Sequence, residues 1–213
     1  MKVSRFQVNL FGENTYILFD ESSREGIIID PGMYTDNEMS EIDEFIARNS
    51  LIISRVLLTH MHIDHMFGVS YLRQKYDVKV YCSEAEQPLG LKTQAQASLF
   101  GIKKEMPQVL IDTVVADGDV LTLADEQIQV LSVPGHSPGG LAFYCPSSGV
   151  VFTGDVLFDG SIGRTDLVGG DYRQLIDSIR TKLLPLPAET LVCPGHGGTT
   201  TIGDEAGFNP YLR

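Results

Sequence analysis

Every histidine in this chain stands where an apolar run stops, and that regularity constrains the fold more than any other feature. Ile52-Ile53-Ser54-Arg55-Val56-Leu57-Leu58 runs into Thr59 and then into His60-Met61-His62-Ile63-Asp64-His65. The other two of the five histidines each follow a Pro-Gly pair after a β-forming run: Val133-Pro134-Gly135-His136 and Pro194-Gly195-His196. Asp155 ends Val151-Phe152-Thr153-Gly154-Asp155 in the same manner. Polar side chains at strand ends gather on one edge of a sheet, where α/β architectures place their sites.

The rest of the sequence alternates sheet and helix. Residues 3–10 and 14–20 carry β-formers on either side of a turn. The isoleucine run 27–29, closed by Asp30-Pro31-Gly32, reads as a strand buried on both faces. Met39, Ile42, Phe45 and Ile46 recur at helical spacing over 36–49, with Asp36 as the N-cap. A strand over 52–58, a helix over 67–76 and a strand over 78–82 follow. Pro88, Gly90, Gly101 and Pro107 punctuate 83–112, which reads as two short helices and a loop on the rim over the site. Strands are predicted at 113–116, 120–123, 127–133, 140–145, 149–153 and 190–193, a helix at 171–183, and a surface tail over 200–213. Two mixed sheets with helices outside would bury all of this as one domain over 1–213.

Composition narrows the functional classes. The net charge is −12 and the only adjacent basic pair is Lys103-Lys104. Nucleic-acid binders need a basic footprint, so none is expected here. The three cysteines form no C-x-x-C pair, which points to a reducing compartment, the cytoplasm. The N-terminus does not read as a signal peptide and no apolar run is long enough to span a bilayer, so no membrane partner is expected.

In an extended stretch residues i and i+2 point the same way, so His60 and His62 can bite one ion. Once the chain turns, Asp64 and His65 can face a second. Imidazole and carboxylate without thiolate suit Zn²⁺, Fe²⁺ or Mn²⁺. Taken singly, His136, His196 and Asp155 would be ordinary turn or cap residues, and the hexapeptide gives them a joint meaning. Cys193 reads as a small buried apolar residue rather than a ligand. Asp30 can serve as a partner for a ligand imidazole or as a plain turn residue before Pro31.

The order T-H-x-H-x-D-H, G-H, G-D, G-H resembles the metallo-β-lactamase superfamily along the whole chain. That resemblance implies an α/β fold, an αββα sandwich of two mixed sheets with outer helices. It implies two divalent metal ions, zinc first, with iron or manganese as alternatives. His60, His62 and His136 would hold one, Asp64, His65 and His196 the other, and Asp155 would bridge them with a hydroxide. Asp64 and Asp155 are then the catalytic carboxylates, Asp64 orienting that hydroxide.

Gly154-Asp155-Val156-Leu157-Phe158-Asp159-Gly160-Ser161-Ile162-Gly163-Arg164-Thr165-Asp166 resembles the glyoxalase II branch, especially its short bacterial members. The implied activity is hydrolysis of a small-molecule S-(2-hydroxyacyl)glutathione-like thioester, with Arg164 meeting a substrate carboxylate. Here Asp166 replaces the neighbouring aromatic and Gly197-Gly198 replaces the tyrosine after the last histidine. A leaving thiolate with a pKa near ~8.5 departs with little acid help. Two readings compete. One is a persulfide dioxygenase using a single iron on His60, His136 and Asp155. The other is a non-catalytic metal-binding domain.

Overall fold

The N-terminal β-formers pair into an antiparallel hairpin, β1 (Lys2–Val8) and β2 (Glu13–Phe19), with Lys2 opposite Phe19. The computed structural model describes residues 1–213 and divides into two units, Met1–Val114 and Val115–Arg213. Each is built on a six-stranded mixed sheet.

In the first unit, β3 (Glu25–Ile29) lies antiparallel to β2 and parallel to β4 (Ile52–Leu57). Ile27, Ile28 and Ile29 are all buried, as expected for a central strand covered on both faces. β5 (Lys79–Cys82) and β6 (Thr113–Val114) extend the sheet in parallel, giving the order β1-β2-β3-β4-β5-β6. Parallel neighbours need helical crossovers. α1 (Asp36–Arg48) and α2 (Val69–Tyr76) supply the first two, burying Ile42, Ile46, Val69 and Leu72.

The N-cap of α1 is Thr35, not Asp36. Thr35 Oγ1 accepts from Glu38 N–H while Glu38 Oε2 accepts from Thr35 N–H, a reciprocal box that satisfies two orphan donors of the first turn. Asp36 lies in the first turn, where its charge favours the helix dipole. Between β5 and β6 lie α3 (Gln87–Gly90) and α4 (Thr93–Leu99), the two short helices expected there.

The second unit orders its strands β14-β13-β10-β9-β8-β7. β7 (Val120–Leu123), β8 (Glu126–Ser132), β9 (Leu141–Cys145) and β10 (Val150–Gly154) form an antiparallel meander. A small hairpin, β11 (Leu157–Phe158) and β12 (Ser161–Ile162), follows. α5 (Tyr172–Ser178) is capped by Asp171, whose carboxylate accepts from Gln174 N–H, and runs into a π-helical turn over Ile179–Leu183. The chain then returns as β13 (Leu191–Pro194), parallel to β10.

Residues 200–213 are not a loose surface tail. β14 (Thr200–Thr201) pairs antiparallel with β13, and Thr201 caps α6 (Ile202–Phe208). Ile202, Glu205 and Asn209 are all buried. Glu205 accepts from the Gly160 amide, the Thr200 hydroxyl and the Asn209 amide, while Asn209 also donates to the Ser161 carbonyl. The segment therefore clamps the 157–162 hairpin. Gly203 and Gly207 hid it from a propensity reading, since glycine is a poor helix former. No helix is long and apolar enough to cross a membrane.

Candidate metal centre

In the first unit, β3 and β4 are parallel neighbours, so both end on the same sheet edge. Asp30 follows β3, with its backbone N–H on Leu57 C=O and φ of 49°. That left-handed conformation is one aspartate tolerates better than most residues. Its carboxylate is the hub of a buried network. It accepts from Thr59 N–H at 2.7 Å and Thr59 Oγ1 at 2.6 Å, and faces His65 Nδ1 at 3.1 Å.

The Thr59 hydroxyl spends its one proton on Asp30, so it accepts from His60 Nδ1–H at 3.0 Å. Both imidazoles are thereby fixed as Nδ1–H tautomers, with the Nε2 lone pair directed away from the network. His65 Nε2 lies 3.8 Å from Asp64 Oδ2. The His60 ring packs 4.6 Å from that of His62 and 4.1 Å from that of His65.

Two further side chains hold this cluster. Asn9 Nδ2 donates to the Asp64 and Gly32 carbonyls at 3.0 and 2.9 Å. Glu13, fully buried, carries Oε1 3.9 Å from His65 Nδ1. Burial pushes its carboxyl well above the ordinary carboxylate range, against the pull of His65.

In the second unit, β8, β10 and β13 share one direction, with β7, β9 and β14 running against them. Their C-terminal ends release His136, Asp155 and His196 on one edge. The Asp155 Oδ2 oxygen stands 3.7 Å from His136 Nε2 and 3.5 Å from His196 Nε2. His136 Nδ1 donates to the Arg164 carbonyl at 2.8 Å, which again commits Nε2 as the lone-pair nitrogen.

Glycines make these approaches possible. A Cβ on Gly163 would stand 1.9 Å from the Asp155 carbonyl oxygen and 3.1 Å from His136 Nδ1. Gly135 adopts φ of 130°, and a Cβ there would meet the Leu175 backbone nitrogen at 2.3 Å.

The Arg164 guanidinium forms a bidentate pair with Asp166, at 2.6 Å (Nε–Oδ1) and 2.8 Å (Nη2–Oδ2), on the exposed surface. The hydrogen bonds from Arg164 hold the Asp166 carboxyl down to about 2. Sequence reasoning named the Arg164 side chain but missed its carbonyl, which carries no sequence signal. It also passed over Thr59, whose position directly before His60 was the available clue.

The donors collected in the two units are imidazole nitrogens and carboxylate oxygens, and all three cysteines are buried. Hydrogen-bonded imidazoles of fixed tautomer beside carboxylates suit borderline divalent cations such as Zn²⁺ or Fe²⁺.

Comparison with known proteins agrees with this chemistry. The family model of the metallo-beta-lactamase superfamily matches residues 8–196. Hydroxyacylglutathione hydrolase GloC of Haemophilus influenzae is 37% identical over 100% of this chain and 99% of its own length. Probable metallo-hydrolase YqgX of Bacillus subtilis is 36% identical, covering 100% and 98% respectively. The crystal structure of TTHA1623 in a di-iron-bound form superposes with a TM-score of 0.86 at 37% identity, covering 98% of this chain and 100% of that one. These similarities span both units and take in all seven candidate ligands. The chain belongs to the metallo-β-lactamase superfamily, with the mixed α/β fold of that family and His/Asp groups suited to divalent metal ions.

Proposed function

We propose that this protein is a binuclear metal-dependent thioesterase acting on S-(2-hydroxyacyl)glutathione-like substrates. Its two units would serve one catalytic domain over residues 1–213. His60, His62 and His136 would hold one divalent cation, Asp64, His65 and His196 the other, and Asp155 would be shared by both. One observation carries this reading. A single Asp155 oxygen lies almost equally far from the Nε2 atoms of His136 and His196, at 3.7 and 3.5 Å. A carboxylate oxygen so placed between two imidazole nitrogens suits a bridge between two ions. Zinc is the first choice for the cations. Iron is the alternative, in keeping with the di-iron form of TTHA1623, and manganese also suits the donors.

When bound, the two cations lower the pKa of a shared water toward ~7 and polarise the substrate carbonyl. The protein supplies the geometry. Asp30 and the Arg164 carbonyl keep His65 and His136 in the binding tautomer. Asp64 and Asp155 would flank the attacking water, and Asp64 would orient it. The leaving thiolate departs without a dedicated acid, since thiol pKa values lie near ~8.5. The Arg164 guanidinium meets the substrate carboxylate by exchanging its Asp166 partner for it. Both ions of that pair are exposed, so water screens their attraction and the guanidinium can be released at little cost. Three buried free thiols suit a cytoplasmic enzyme.

The test pairs elemental analysis with hydrolysis of S-lactoylglutathione on one preparation. Two metals per chain, with turnover abolished by His62→Ala, is the expected result. Two metals without turnover would discard this substrate class. One iron per chain with oxygen uptake on glutathione persulfide would replace the hydrolase by a dioxygenase.

A further inference from the structure

The backbone of residues 60–62 lies beyond the end of β4 and belongs to no strand. Its N–H and C=O groups need other partners. They find them on side chains of the segment between β5 and β6. Gln96, on α4, accepts from Ile63 N–H through Oε1 at 3.1 Å and donates through Nε2 to Met61 C=O at 3.1 Å. Bonds to residues 61 and 63 from one side reproduce the pattern of a neighbouring strand.

Glu86, fully buried, accepts from Met61 N–H at 2.9 Å. Gln96 is itself anchored by donating to Leu89 C=O at 3.0 Å. The buried Met61 side chain fits because residue 90 is glycine. A Cβ there would stand 2.5 Å from Met61 Cε and 2.4 Å from the Val109 carbonyl oxygen. His62 keeps extended angles, φ −69° and ψ 149°.

We propose that Gln96, supported by Glu86, is a positioning residue of the metal centre. Its carboxamide stands in for a missing strand, bonds on either side of His62 to keep that residue extended, and so keeps His60 and His62 aimed to the same side. This inference rests on the assignment of those two histidines as ligands of one cation.

Gln96→Glu tests it with almost no change of shape. The acceptor for Ile63 survives, but both donated bonds become oxygen–oxygen contacts with the Met61 and Leu89 carbonyls. The cation held through His60 and His62 should then bind about 10–100-fold more weakly in competition with a chromophoric chelator. The visible spectrum of the Co²⁺-loaded protein should change, because it reports ligand geometry. The affinity for the cation held through Asp64 and His65 should stay within about threefold of the parent value. Gln96→Leu removes all three bonds without repulsion and should show the same effects more weakly, so it carries the test if the glutamate variant does not fold.

Parent-like affinity and Co²⁺ spectrum in both variants would overturn the positioning role. So would metal-free variants that are already unfolded at the assay temperature, since the role would then be structural. A parent protein that binds no divalent cation would instead overturn the metal centre itself.

Discussion

Replacing Asp30 by asparagine changes one oxygen into an amide nitrogen at the hub of the buried network with Thr59 and His65. Volume is conserved, and asparagine tolerates the φ of 49°, so neither cavity nor backbone strain enters. The carboxamide oxygen must stay on Thr59 N–H, now at 2.7 Å. Its nitrogen then faces Thr59 Oγ1 and His65 Nδ1, at the places that Oδ2 now holds at 2.6 and 3.1 Å. The threonine hydroxyl can rotate and accept. His65 cannot keep a proton on Nδ1 against an N–H donor, so its proton moves to Nε2, the nitrogen needed for a metal.

Losing an outer partner of this kind costs about 10–100-fold in metal affinity. At about 1.4 kcal/mol per tenfold, that is roughly 1.4–2.8 kcal/mol. Chelator competition with Zn²⁺ reads it directly. The weakened cation should be the one bound through His65. Affinity for both cations within about threefold of the parent would refute the tautomer argument, because nothing else in the substitution compensates for it.

Gly135→Ala should destabilise the protein by about 3 kcal/mol or more. It combines backbone strain at φ of 130° with a Cβ only 2.3 Å from the Leu175 nitrogen. A urea midpoint indicating a loss below about 1 kcal/mol would show that the turn relaxes freely. Asp43 offers a pH test. Burial would raise its carboxyl, but hydrogen bonds from Lys75, Tyr71 and Tyr76 outweigh that and hold it below its ordinary value. Its stabilisation is complete above the unfolded value near ~4 and is lost as pH falls through the lower folded value. Asp43→Asn should therefore cost about 1–3 kcal/mol at pH 7, with the gap closing in acid. An equal gap at both pH values, measured by denaturant titration, would remove the ionic explanation.

Strand ends were the most readable part of the sequence, because an apolar run followed by Pro-Gly or Gly-Asp is both a packing signal and a stop signal. Ile27–Ile29 announced a doubly covered strand, and the structure buries all three side chains. Asp30, left between a partner role and a turn role, sits in a left-handed turn after β3 and faces His65 Nδ1. Besides Thr59 and the Arg164 carbonyl, three features escaped. The N-cap of α1 lies one residue earlier than expected because the capping box of Thr35 and Glu38 outweighs the intrinsic preference of Asp36. Glycines disguised α6. Gln96 is separated from Met61 by 35 positions, and a side-chain amide bonded to distant backbone leaves no periodicity to detect.

The Glu205 clamp also bears on the order in which the protein is completed during synthesis. Asp30, Thr59 and His65 come together as soon as a stretch of 35 positions has emerged. Gly160 must wait 45 further residues for Glu205. At about 5–20 residues per second that is a delay of roughly 2–9 s. The hairpin leading to the Arg164 carbonyl, and with it the orientation of His136, is thus the late event. On that schedule His60 and His65 would be ordered several seconds before His136 is fixed in place.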